Sequence, residues 1–234
     1  MRIPDRITIL GYTKNREAAE RTLADARRVG FNGCIHWNFP TPYTEFMQRH
    51  LPKANRTMRT RPAFLNSGLG HYSILCIERD LGRIPVFVAE DDCRFLKDAA
   101  LVHKTLASAP DDADLLLLDS FGATRTQGLF LEERRTAKSG WAKVTSARSA
   151  ACYIVGERFI DRLINLGDRG TRGKKVRIFD QWFENRWLVG ANIYCAVPNL
   201  AIQMDDPSRT RPSGVSNRAK YVNMGIDFND YGEW

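Results

Sequence analysis

Three acidic residues in a row, Glu90, Asp91 and Asp92, directly follow the apolar run Val86-Phe87-Val88-Ala89. Adjacent carboxylates repel one another, and a cation held nearby relieves that repulsion. Side chains alternate along an extended chain, so Glu90 and Asp92 are expected to point one way and Asp91 the other. Two hard oxygen donors at this spacing suit Mg²⁺ or Mn²⁺, ions that also bridge phosphate oxygens. An acidic turn capping the next helix uses the same residues, and the triplet alone leaves both readings open. His71 is expected to start a helix after a turn containing Gly68 and Gly70. There it either meets an anion such as a phosphate, drawn by backbone N–H groups, or locks two elements together by hydrogen bonds. Asp180 opens an aromatic segment with Trp182, Phe183 and Trp187, and Asp119 closes the apolar run Leu115–Leu118. An acid at a helix start is favoured as a cap whatever else it does.

The elements that must place these groups alternate in type. Ile7–Leu10 reads as a short buried strand broken by Gly11, followed by a helix over Asn15–Val29 that Gly30 stops. Cys34–Trp37 reads as a second strand, ended by Pro40 and Pro42. A helix over His71–Leu81 stops at Gly82, and Val86–Ala89 is the strand that delivers the acidic triplet. Helix Phe95–Leu106 and strand Leu115–Leu118 repeat the alternation; strand Cys152–Val155, helix Glu157–Leu166, aromatic helix Phe179–Leu188 and strand Asn192–Val197 follow. This order predicts an α/β fold, a mostly parallel sheet with helices on both faces. Residues 1–204 are expected to form one domain, and 205–234 an irregular tail.

Composition narrows the class. Of the 234 residues, 43% are hydrophobic and 26% charged, which excludes wholesale disorder. No apolar run reaches the roughly 18 residues that a membrane span needs, and the N-terminus lacks a signal-peptide core. Cys34, Cys76, Cys93, Cys152 and Cys195 are odd in number and scattered, fitting buried thiols in a cytoplasmic protein rather than a disulfide frame or a zinc site. The net charge of +8 is uneven: residues 1–62 carry 12 basic and 5 acidic side chains, residues 63–140 carry 9 and 12, and residues 141–234 carry 14 and 10. Basic stretches flank the acidic centre, Lys53, Arg56, Arg59 and Arg61 before it and Arg169, Arg172, Lys174, Lys175 and Arg177 just ahead of Asp180. They suit a polyanionic partner or an ordinary solvated surface.

The segment Asn66-Ser67-Gly68-Leu69-Gly70-His71, a helix, and the run VFVAEDD, whose Glu90 lies 19 positions after His71, resemble the glycosyltransferases of family 25, the lipooligosaccharide galactosyltransferase type. That family has Gly, Cys and Ser where this chain has Asn66, Ser67 and Gly70. The likeness continues through residues 112–119, 151–164 and 192–203, and covers most of residues 60–205. It implies a single GT-A-like domain, a nucleotide-diphosphate sugar donor such as a UDP-sugar, and Mn²⁺ or Mg²⁺ held by Glu90, Asp92 and Asp91. It also implies that Gly11, Tyr12 and Arg16, after the first strand, cradle the nucleotide with His71, although an ordinary strand-to-helix turn looks the same. Asp180, 88 residues beyond Asp92, is placed where such enzymes keep the base of an inverting transfer.

The acceptor is then a hydroxyl on a polyanion met by Arg172, Lys174 and Lys175. An envelope-type glycan is the first choice, and a hydroxymethylated base in viral DNA the second. A non-catalytic nucleic-acid-binding protein and a metal phosphohydrolase or nucleotidyltransferase are the rivals from other classes.

Overall fold

The computed structural model describes residues 1–38, 62–122, 127–138, 140–145, 147–172, 190–204 and 217–232. The expected alternation is present: β1 (Arg6–Tyr12), α1 (Arg16–Arg28), β2 (Asn32–Asn38), α2 (Pro62–Asp80), β3 (Val86–Glu90), β4 (Cys93–Phe95), α3 (Ala99–Ala107) and β5 (Leu115–Leu117). There follow α4 (Gln127–Arg135), β6 (Trp141–Lys143), β7 (Cys152–Val155), α5 (Glu157–Arg172), β8 (Ile193–Ala196), β9 (Ala201–Gln203) and α6 (Asn217–Val222).

Seven strands form one sheet in the order β2-β1-β3-β7-β5-β8-β6, and β4 pairs with β9 as a separate ribbon. Strands β2, β1, β3, β5 and β8 run one way; β7 and β6 run against them. Alternation along each strand divides the core between two faces. Ile7, Ile9, Phe87, Ala89, Leu116 and Ile154 pack with α1 and α3 through Leu23, Val29, Val102 and Leu106. Leu10, Val86, Val88, Leu117, Tyr153 and Val155 pack with α2 and α5 through Ile74, Leu75, Phe159 and Leu163. Helices thus cover both faces of a mostly parallel sheet, as the alternation requires. Gly30 and Gly82 adopt φ of +92° and +66° just past α1 and α2, the left-handed backbone that ends helices.

Four expectations are corrected. β1 is not broken at Gly11 but runs through it to Tyr12. A Cβ on Gly11 would stand 2.7 Å from Ile35 Cγ2 and 3.0 Å from both Ala19 Cβ and Trp37, so glycine is required by the packing of α1 and β2 on the strand. Nor does α2 start at His71: it begins at Pro62, and His71 lies well inside it. The glycine read as a turn, Gly70, lies within this helix, and a Cβ there would meet Leu10 Cδ1 at 2.6 Å and Asn38 Nδ2 at 2.7 Å, so close packing of the helix requires glycine. Phe95 belongs to β4, and α3 starts only at Ala99 with the Asp98 carboxylate accepting from the Leu101 N–H. Finally, residues 217–232 are folded rather than irregular, with Tyr221 and Tyr231 buried in the core beside α3. Of the five thiols, Cys93, Cys152 and Cys195 are buried and Cys34 and Cys76 half-buried, all unbridged.

Candidate functional site

Ligands in such folds bind beyond the carboxyl ends of the parallel strands, where loops can vary without disturbing the core. Register places the candidates there. Leu10 pairs with Glu90 across β1 and β3, and Gly11 and Tyr12 pair with Trp37 and Asn38 across β1 and β2. Arg16, in the first turn of α1, stacks its guanidinium over Trp37 at 5.6 Å from the ring centroid. Asp119 follows the end of β5, and the entry to β7, antiparallel beside it, brings Ser149 to the same edge.

Glu90 is held from three sides. Ser67 Oγ donates to its Oε1 at 3.0 Å, and His71 Nε2 lies 3.1 Å from the same oxygen. Ser67 and His71 are four residues apart, so α2 presents both on one face. A carboxylate can only accept, so His71 carries its proton on Nε2; in the neutral ring Tyr153 OH then donates to Nδ1, at 3.0 Å. Burial, reinforced by the Glu90 charge, pushes the Tyr153 phenol well above its ordinary range, which keeps that proton in place. The other Glu90 oxygen accepts from Gln203 Nε2 at 2.9 Å. The same nitrogen lies 3.2 Å and 3.4 Å from the two oxygens of Asp92. Glu90 and Asp92 therefore converge on one point, as the alternation predicts. Asp91 is fully buried, and its carbonyl accepts from Thr22 Oγ1 of α1 at 2.6 Å. The capping alternative for the triplet fails, because β4 follows it and Asp98 caps α3.

His71 is fully buried within a helix, so backbone N–H groups of a helix start do not surround it, and it serves as the hydrogen-bonded lock between α2, β3 and β7. Asp92 is 4% exposed and the Glu90 side chain 15%, so the pair sits just below the surface rather than facing solvent. Asp180, Lys174 and Lys175 lie outside the described residues, as do Trp182, Phe183 and Trp187; Arg172 ends α5. Sequence reasoning missed Ser67, Tyr153, Gln203, Ser149, Asn199 and Tyr221. The four-residue spacing of Ser67 and His71 was the only local signal for any of them.

A second polar node adjoins the first. Asp119, fully buried, accepts from Ser149 Oγ at 2.5 Å, Tyr221 OH at 2.8 Å and Asn199 Nδ2 at 3.2 Å. Tyr221 OH in turn accepts from the Gln203 backbone N–H at 3.0 Å, which links the two nodes. Burial outweighs these donors, and with the Glu90 charge it raises the Asp119 pKa to about 6. The folded protein thus binds this proton more tightly than the unfolded chain, whose carboxyl titrates near 3.8. Stability from this group is greatest below about pH 4 and falls as pH rises to about 6, by about 3 kcal/mol in all. Urea unfolding of Asp119→Asn at pH 4 to 7 should show a smaller loss between pH 4 and 6 than the unsubstituted protein shows. Equal losses in both would mean that Asp119 titrates near its ordinary value.

A cavity of about 630 Å³ lies elsewhere, between α3, the β8–β9 turn and the C-terminal segment, lined by Leu96, Leu101, Arg134, Val197, Ile226 and Tyr231 among others. Among the described residues no three His, Cys, Asp or Glu side chains converge as a metal site, and no helix is long and apolar enough to cross a membrane.

No protein-family model matches the chain, and no curated protein matches it. Among solved structures, it is similar to the apo form of the glycosyltransferase GlyE of Streptococcus pneumoniae TIGR4, at 10% identity and a TM-score of 0.47. The similarity spans 96% of this chain and 61% of that protein, less than two thirds of its length.

Proposed function

We propose that the chain is a metal-dependent, inverting glycosyltransferase of the GT-A type, which moves a sugar from a nucleotide-diphosphate donor to a hydroxyl on a polyanionic acceptor. The observation that carries this reading is the convergence of Glu90 and Asp92 on one position, with Glu90 opposite Leu10 at the carboxyl ends of parallel strands. Two carboxylates sharing one amide nitrogen form a donor set of hard oxygens, which fits Mn²⁺ or Mg²⁺. Glu90 and Asp92 would hold the ion, which when bound supplies positive charge to a departing diphosphate.

The remaining roles belong to the chain. Ser67 and His71 fix the rotamer of Glu90, so that its second oxygen is the one turned toward Asp92. Asp180 takes the proton of the acceptor hydroxyl, and Arg172, Lys174 and Lys175 meet the acceptor's negative charge. An envelope-type glycan is favoured over a hydroxymethylated base in DNA.

Incubation with a panel of nucleotide sugars and Mn²⁺ tests the reading. Slow release of nucleoside diphosphate from one donor, abolished by EDTA, is expected. Release from none of them, with tight binding to nucleic acid, would favour a non-catalytic binding protein. Cleavage of nucleotides that carry no sugar would favour a phosphohydrolase.

A further inference from the structure

Glu90 and Asp92 supply two ligands, and a divalent ion that also holds a diphosphate is better fixed by a third protein oxygen. Gln203 is placed to provide it. It ends β9, whose antiparallel register with β4 sets it opposite Cys93, the residue after Asp92. The next backbone N–H, of Met204, donates to the Asp92 carbonyl at 2.9 Å, so the acidic turn and the end of β9 are zipped together. The Gln203 backbone N–H is pinned by Tyr221 OH, itself held by Asp119. From this fixed main chain the side chain reaches between Glu90 and Asp92.

The amide nitrogen there lies within 3.4 Å of three carboxylate oxygens, so a weakly positive N–H₂ stands where positive charge is most favoured. The two ends of a carboxamide are nearly the same size, and a half-turn about the last side-chain bond exchanges nitrogen for oxygen without moving the backbone. A neutral carbonyl oxygen is a hard donor of the kind that Mn²⁺ and Mg²⁺ take.

We propose that Gln203 is the third protein ligand of the divalent cation, turning its Oε1 to the ion when it binds. This rests on the metal reading of Glu90 and Asp92 given above.

The test is direct Mn²⁺ binding without substrate, read from the loss of the free-ion electron paramagnetic resonance signal. Gln203→Leu should weaken binding at least about tenfold, the scale on which losses around metal sites are felt. Gln203→Glu, which keeps an oxygen at the same place, should bind as tightly as the unsubstituted protein or more tightly. Gln203→Leu that binds Mn²⁺ equally well or better would overturn the proposal, since the amide would then only compete with the ion. Weakening by both substitutions would also overturn it, leaving the nitrogen as a clamp on the carboxylates. Should Gln203→Leu fail to fold, Gln203→Glu alone decides. Failure of the underlying reading looks different: the unsubstituted protein binds no Mn²⁺, or Asp92→Ala binds it as well as the parent.

Discussion

Asp92→Ala is expected to remain folded and to lose Mn²⁺-dependent binding of UDP. The fold should tolerate the change because the contacts that shape the turn are made by backbone. Met204 donates to the carbonyl of Asp92, and Glu90 N–H donates to the carbonyl of Ala151. Removing one of two neighbouring carboxylates also relieves like-charge repulsion in a nearly sealed place, Asp92 being 4% exposed. Thermal melting without metal should therefore change little, or rise. Metal affinity should fall by more than the roughly 10–100-fold that loss of an outer partner costs, because a charged ligand is removed outright. Calorimetric titration of UDP with and without Mn²⁺ measures this. If Asp92→Ala binds UDP with the same metal dependence as its parent, Glu90 and Asp92 are a structural pair and the transferase mechanism loses its electrophile.

How far the sequence carried the site depends on the range over which its parts interact. The acidic triplet after an apolar run was legible because alternation along a strand is local, and Glu90 and Asp92 do turn to a common point. Both faces of the sheet were legible for the same reason: Ile7 and Ile9 share one core, and Leu10 the other. Gly70 misled because glycine usually marks a turn, whereas here the missing Cβ lets α2 press on Leu10 and Asn38. Pro62, at the first helical position, where a missing N–H costs nothing, was the better signal for the start of that helix.

Gln203 could not be found locally. It lies 113 residues from Glu90 and becomes a neighbour only through the β4–β9 ribbon, whose strands are three residues long and carry no periodic signal. Tyr221 was hidden similarly, in a segment whose charges and glycines resemble a tail while its aromatic ring closes on the core. The insertion of β7 between β3 and β5, against their direction, is equally invisible to a strand-by-strand reading. It matters to the site because it brings Tyr153 to His71 and Ser149 to Asp119.

Asp180→Asn is expected to lower kcat by roughly two to four powers of ten while leaving donor affinity nearly unchanged. Asp180 lies outside the described residues, so the case rests on the sequence, which puts it at the start of an aromatic segment whose pattern predicts a helix, just after the basic run 169–177. Two roles compete there, a base for the acceptor hydroxyl and a helix cap, and the choice of Asn separates them. Asparagine caps a helix about as well as aspartate, whereas Ala in that place costs roughly 0.5–2 kcal/mol. Asn cannot take a proton near neutral pH, so a cap survives the change and a base does not. The acid limb of the kcat/KM profile, which reports ionisation of the base in the free enzyme, should also flatten in Asp180→Asn. Pairing it with Asp180→Ala completes the comparison. A base gives two equally slow variants, whereas early melting of the Ala form alone marks a cap. A cap gives an Asn variant that turns over normally, and that result would move the search for the base to another acid at the acceptor side.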